Sequence, residues 1–94
     1  MAAAHRTVVE EKRFSRELKA IKSNPHAADD LVDGAKWVLS REPRTGTQVA
    51  PRSPVWFLPV TLPHEPAVGI YYTFDDDEVH LLSITQGRAG WASF

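Results

Sequence analysis

The chain has no cysteine among its 94 residues. That excludes disulfides and thiolate metal sites, and it fits a reducing compartment. No apolar run approaches the roughly 20 residues needed to cross a membrane, and the opening MAAAHRTVVEEKRF has no apolar signal core. A soluble, cytoplasmic protein without a membrane partner is the expectation. No excess of one charge is present either: 11 Lys and Arg against 12 Asp and Glu give a net charge of −1 and a pI near 6.4. Any nucleic-acid contact therefore needs a local basic patch rather than a global field. P-loop, HExxH and GxSxG patterns are missing, as are spaced metal ligands and internal repeats. No cofactor and no metal is expected.

What is present suffices for one small globular domain over residues 1–94. Hydrophobic residues make up 43%, with three Trp, four Phe and two Tyr, enough for a single modest core. The clearest stretch is Val68 to Ile84. Val68, Ile70, Tyr72 and Phe74 alternate with Gly69, Tyr71 and Thr73, the period-two pattern of a strand with one apolar face. Asp75, Asp76, Asp77 and Glu78 read as a solvated turn, since Asp carboxylates bond nearby backbone N–H groups. Val79 to Ile84 is apolar on both sides, which predicts a central strand. The pair is an antiparallel hairpin.

Upstream, Arg6 to Val9 predicts a short strand. A helix is expected over Glu10–Ser23, with Phe14, Leu18 and Ile21 as its apolar stripe. Lys12, Arg16 and Lys19 fall opposite that stripe. With Arg13 and Lys22 this helix holds five of the eleven cations. The basic stripe is a candidate phosphate-contacting face, diluted by Glu10, Glu11 and Glu17. Asn24 as N-cap and Pro25 at the first helical position start a second helix, which runs to Arg41. Ala28, Leu31, Val32, Ala35, Val38 and Leu39 form its apolar face, and Gly34 interrupts it. The short turn predicts an antiparallel helical hairpin. It should pack through Phe14, Leu18, Ile21, Leu31, Ala35 and Leu39 on Ile70, Tyr72 and Leu82. Trp37 lies off that face. It marks a partner surface, or it is covered by the chain's own tail.

Pro43 ends the second helix. Thr47–Val49 and Val55–Leu62 are the next expected strands. Pro59 inside the latter belongs at an edge or a bulge, because it cannot donate to a ladder. The tail Gln86–Phe94 carries Arg88, Trp91 and Phe94. The expected fold class is α+β: an N-terminal short strand and a helical hairpin packed on one face of a mainly antiparallel sheet of four or five strands.

This order of elements resembles the RelE/ParE superfamily of toxins from bacterial toxin–antitoxin pairs. The motifs that carry the resemblance are Phe14-x3-Leu18-x2-Ile21, Ala35-x3-Leu39-x3-Pro43-x2-Gly46, Val55-Trp56-x-Leu58, Gly69-Ile70-Tyr71-Tyr72 and Asp75-Asp76-x2-Val79-x-Leu81-Leu82-x-Ile84. The resemblance implies a cytosolic toxin neutralised by a cognate antitoxin. Its RelE branch cleaves mRNA on the ribosome, arresting translation and growth. Its ParE branch blocks DNA gyrase without nuclease chemistry. An mRNA endoribonuclease is the leading expectation. A gyrase inhibitor and a non-toxic interaction module that has kept the fold are the alternatives, and homodimer formation is left open.

Gly69 stands where RelE-type nucleases carry an Arg. Phe57 and Pro59 stand where many carry a Glu or Arg, and the usual basic tail is reduced to Arg88. The candidate catalytic groups are Arg88, Tyr71 and His80. Arg88 would hold the scissile phosphate, Tyr71 or Trp91 would stack a base, and His80 would serve as acid or base. Lys12, Arg16, Lys19 and Trp91 are the candidate nucleic-acid contacts, and Trp37 and Trp91 the candidate antitoxin contacts. For His80 and Tyr71 purely structural roles compete with these, and His64, in a Pro-flanked turn, is expected to be simply solvated.

Overall fold

A computed structural model describes residues 5–21, 25–60 and 67–86, excepting the side chains of 25–28. In chain order it contains β1 (Thr7–Glu10), α1 (Lys12–Ala20), α2 (Pro25–Arg41), a 3-10 turn (Pro43–Thr45), β2 (Thr47–Gln48), β3 (Trp56–Val60), β4 (Val68–Phe74) and β5 (Glu78–Gln86). The sheet order is β1-β5-β4-β3-β2, antiparallel except for the parallel β1–β5 pair. This is the α+β architecture expected, with β5 flanked on both sides. Among the described residues no helix is long and apolar enough to cross a membrane.

The core lies between the sheet and the helices. Phe14 of α1, with Leu31, Val32, Ala35 and Leu39 of α2, packs with Val68, Ile70, Tyr72, Val79, Leu81 and Ile84. Leu18 and Ile21 are only partly buried at its margin. Helix α1 is shorter than its apolar stripe predicts. Ile21 is already extended, at φ −77° and ψ 106°, and its N–H donates to Leu18 O. Residues 22–24 lie outside the described part. Strand β1 is shifted by one residue from the expected Arg6–Val9. Strand β2 is one residue shorter than expected and β3 begins one residue later, while the expected end of β3 at residues 61 and 62 lies outside the described part.

Leu82 is not a core residue, contrary to the expectation above. The β4–β5 register slips between Tyr71 and Tyr72: Tyr72 pairs with Leu81, whereas Tyr71 pairs with Ser83. Leu82 is the extra residue of a β-bulge. Past it the alternation changes phase, so Val79, Leu81 and Ile84 face the helices. Pro59 is tolerated although β3 lies inside the sheet order. Strand β2 pairs only with Trp56 and Phe57, so β3 is the sheet edge at Pro59.

Tyr72, fully buried in the middle strand, ties the α2–β2 connection to the sheet. Its hydroxyl donates to Pro43 O at 2.6 Å and accepts from Gly46 N–H at 3.0 Å. Gly46 is required for packing rather than for backbone freedom. A Cβ there would lie 2.5 Å from the Tyr72 hydroxyl and 2.6 Å from Phe57 O.

On the far side of β5, β1 ends at Glu10. Glu17 takes over the free edge, its carboxylate accepting from Ser83 Oγ at 2.7 Å and from Ile84 N–H at 3.3 Å.

Tyr72→Phe is expected to lower unfolding stability by about 1–3 kcal/mol, because it strands a carbonyl and an N–H in the interior. Gly46→Ala should cost about as much through the backbone clash. Urea unfolding of both variants checks this, and a loss below about 0.5 kcal/mol in both would show that the connection does not depend on this contact.

Candidate functional site

The helices cover one face of the sheet. On the other, alternation places Phe57 of β3, Tyr71 and Thr73 of β4, and His80 and Thr85 of β5. A groove of about 560 Å³ on this side is lined by Glu11, Arg13, Val55, Tyr71, Leu82, Ser83 and Thr85. Tyr71 and His80, two of the three catalytic candidates, thus share the helix-free face. The third, Arg88, lies outside the described residues, as do Trp91 and His64.

Tyr71 is 9% exposed, and its ring sits 4.8 Å, centroid to centroid, from that of Phe57. Burial pushes its phenol above the ordinary tyrosine range. That makes it a poor proton donor near neutral pH and leaves little ring face for a base.

His80 is held on both nitrogens. Its Nδ1 is 2.9 Å from Glu11 Oε2 and its Nε2 is 3.2 Å from Glu78 Oε1. Glu11 is the N-cap residue of α1, yet its side chain makes no cap bond and turns to the imidazole instead. The hydrogen bond to Glu11 is the main cause that lifts the His80 pKa above the ordinary imidazole value. Burial opposes it, and Glu78 adds to it. A proton held by two carboxylates is not free to serve a departing oxygen. The pair of acids also makes this end of the face hostile to a phosphate.

The acidic turn is formed as its sequence suggests. Asp75 Oδ1 accepts the N–H groups of Asp77 and Glu78, both at 2.8 Å, and these bonds hold its carboxyl below the usual range. Asp75, Glu78 and His80 bring ligand-type atoms within 4.8 Å of one another. Each is already satisfied by backbone or by its neighbours, so the cluster is explained as turn and strand chemistry.

Lys12, Arg16 and Lys19 lie on the solvent side of α1. The acids interleaved with them turn inward: Glu10 pairs with Lys36, Glu11 with His80, and Glu17 with Ser83 and Arg13. Composition alone hides this separation. Trp37 is 60% exposed, with the Arg41 guanidinium 4.0 Å from its ring centroid.

No protein-family model and no curated protein matches the chain. Solved structures do. One chain of the RelBE2 toxin–antitoxin complex from Mycobacterium tuberculosis superposes with a TM-score of 0.69 at 21% identity, over 90% of this chain and 94% of that one. A chain of the chromosomal ParDE toxin–antitoxin system from P. aeruginosa gives 0.64 at 17% identity, over 89% and 98%. The fold is RelE/ParE-like. At these identities the likeness establishes the RelE/ParE-like architecture and not which residues act.

His80 makes the pH dependence testable. Its pKa is raised in the folded state, so its contribution to stability is full below the unfolded imidazole value and fades as pH rises through the folded one. The stability difference between wild type and His80→Gln should therefore shrink on going from about pH 6 to about pH 8. NMR titration should place the His80 pKa above about 6.5 in the wild type and lower it in Glu11→Gln. A His80 pKa at or below that value would remove the clamp.

Proposed function

We propose that this chain is the toxin of a toxin–antitoxin pair, neutralised by a cognate antitoxin. It would act by binding a protein target, as a gyrase-directed toxin does, rather than by cutting RNA. The likeness of nearly the whole chain to proteins from the RelBE2 and ParDE systems supports the toxin reading. The observation that favours binding over cleavage is the helix-free face. Its His80 is clamped by Glu11 and Glu78, its Tyr71 is buried, and Gly69 stands where the nucleases carry a cation. RNA cleavage through the 2′-OH needs a base, an acid and a cation beside the phosphate. The described part of this face supplies Arg13 alone as a cation lining the groove, and Arg13 pairs with Glu17 at 3.5 Å.

One observation favours the second reading, a ribosome-dependent mRNA endonuclease. Lys12, Arg16 and Lys19 form an exposed basic stripe whose neighbouring acids point away from it. Arg88, with Tyr71 or Trp91, would then carry the chemistry. Its guanidinium keeps its charge and makes paired bonds to phosphate oxygens.

The two readings separate on induction of the wild type and of Arg88→Ala in cells. The expected outcome is growth arrest with message intact and DNA supercoiling altered. Cleaved message in the wild type, abolished in Arg88→Ala, would reverse the order of the readings. If neither protein affects growth, the toxin reading fails and an interaction module remains.

A further inference from the structure

A second concavity lies on the helix side of the sheet, between α2 and the β3 edge. It encloses about 300 Å³, and its walls are Leu31, Gly34, Ala35 and Val38 of α2 with Leu58 and Val60 of β3. Nothing lies within 4 Å of where a Gly34 Cβ would be, so the helix has a gap at its lip. At about 100° per residue, Asp30, Asp33 and Trp37 share a stripe roughly 60° wide beside that gap. All three are exposed, and Asp30 itself rims the cavity. Among the described residues neither Asp makes an ion pair, whereas Glu10, Glu11 and Glu17 of the neighbouring segment all have partners.

We infer that this groove docks a basic amphipathic segment of a protein partner, with an apolar side chain seated over Gly34 and Lys or Arg side chains on Asp30 and Asp33. The argument is complementarity. The floor is apolar and large enough for one or two side chains, while the lip carries two carboxylates without an ion-pair partner among the described residues and an exposed Trp37 ring that Arg41 covers on one side. Trp37 extends the contact, since a large ring at the rim excludes water around a seated anchor. A nucleic acid is disfavoured here because the lip would repel phosphates. The identification of the partner as the antitoxin rests on the toxin reading above; the groove and its chemistry do not.

The test uses the full-length chain and two synthetic amphipathic helical peptides with the same apolar face, one with Lys and one with Glu on the polar face. Binding is followed by NMR shifts of the Leu31, Val38 and Leu58 methyls. The Lys peptide should bind at least about tenfold tighter than the Glu peptide. Gly34→Leu fills the gap and should weaken the Lys peptide at least about tenfold. This variant replaces a poor helix former at an open position, so it should fold, and circular dichroism checks that. Asp30→Asn with Asp33→Asn should remove most of the salt dependence.

Equal affinities for the two peptides, no binding of either, or an unaltered Gly34→Leu would overturn the proposal. Binding that appears only in the Trp91→Ala, Phe94→Ala chain would make residues 87–94 the occupant. Self-association lost in Gly34→Leu would make it a second copy. Either result also overturns the proposal. Growth arrest is scored separately: arrest without groove-dependent binding sinks this inference alone, and binding without arrest sinks the toxin reading alone.

Discussion

The hydroxyl of Tyr72 is the contact on which the arrangement of the other elements depends. A buried phenol must bond, and here both of its partners belong to one short connection. Donating to Pro43 and accepting from Gly46 fixes where α2 stops and where β2 begins. That in turn sets α2 over the core and brings β2 alongside β3. Gly46 completes the joint, since any side chain would drive the connection off the Phe57 backbone. Pro43, Gly46 and Tyr72 form one unit in space although the Tyr stands 26 residues beyond the Gly.

Elements defined by their own periodicity were legible in the sequence. Helix α2 has an N-terminal Pro, a wide apolar face and a terminating Pro, and it runs as those signals say. Strand β4 alternates cleanly. Errors arose where a neighbour decides the geometry. Val79 to Ile84 is apolar on both parities, so nothing in it shows that the phase slips at Leu82. Only the pairing with β4 does. Helix α1 ends early although its stripe continues to Ile21, because β-branched Ile21 followed by Lys-Ser-Asn-Pro offers little to prolong a helix. Pro59 pointed correctly to an edge, but the edge is local, created by the shortness of β2.

The site was legible by residue type and not by partnership. His80 and Tyr71 stand out in any reading of the chain, but the carboxylate on His80 Nδ1 comes from a residue 69 positions away. It arrives through the parallel β1–β5 pairing, which leaves no local trace. The same pairing reassigns the acids near α1. Counted along the sequence, Glu10, Glu11 and Glu17 dilute the basic stripe. In space they close an ion pair, a histidine clamp and a sheet edge. The outer surface of α1 is left more basic than its composition.

A net charge of −1 therefore conceals a segregated surface. Cations gather on the outside of α1, and carboxylates without an ion-pair partner among the described residues on the lip of α2, while the groove of the helix-free face is largely apolar and Glu11 and Glu78 are committed to His80. Beyond about 8 Å at physiological salt these patches are screened, so neither steers a partner from afar. Any contact they make is at short range, where complementarity would favour phosphate or an acidic partner at α1, the proposed basic segment at α2 and an uncharged surface on the open sheet. The patches are carried by different elements, with the α2 groove on the helix side of the sheet and the Tyr71 groove on its helix-free side. A neutralising partner seated on α2 would therefore have to extend over the sheet edge, or shift the sheet, to silence a surface on the other side.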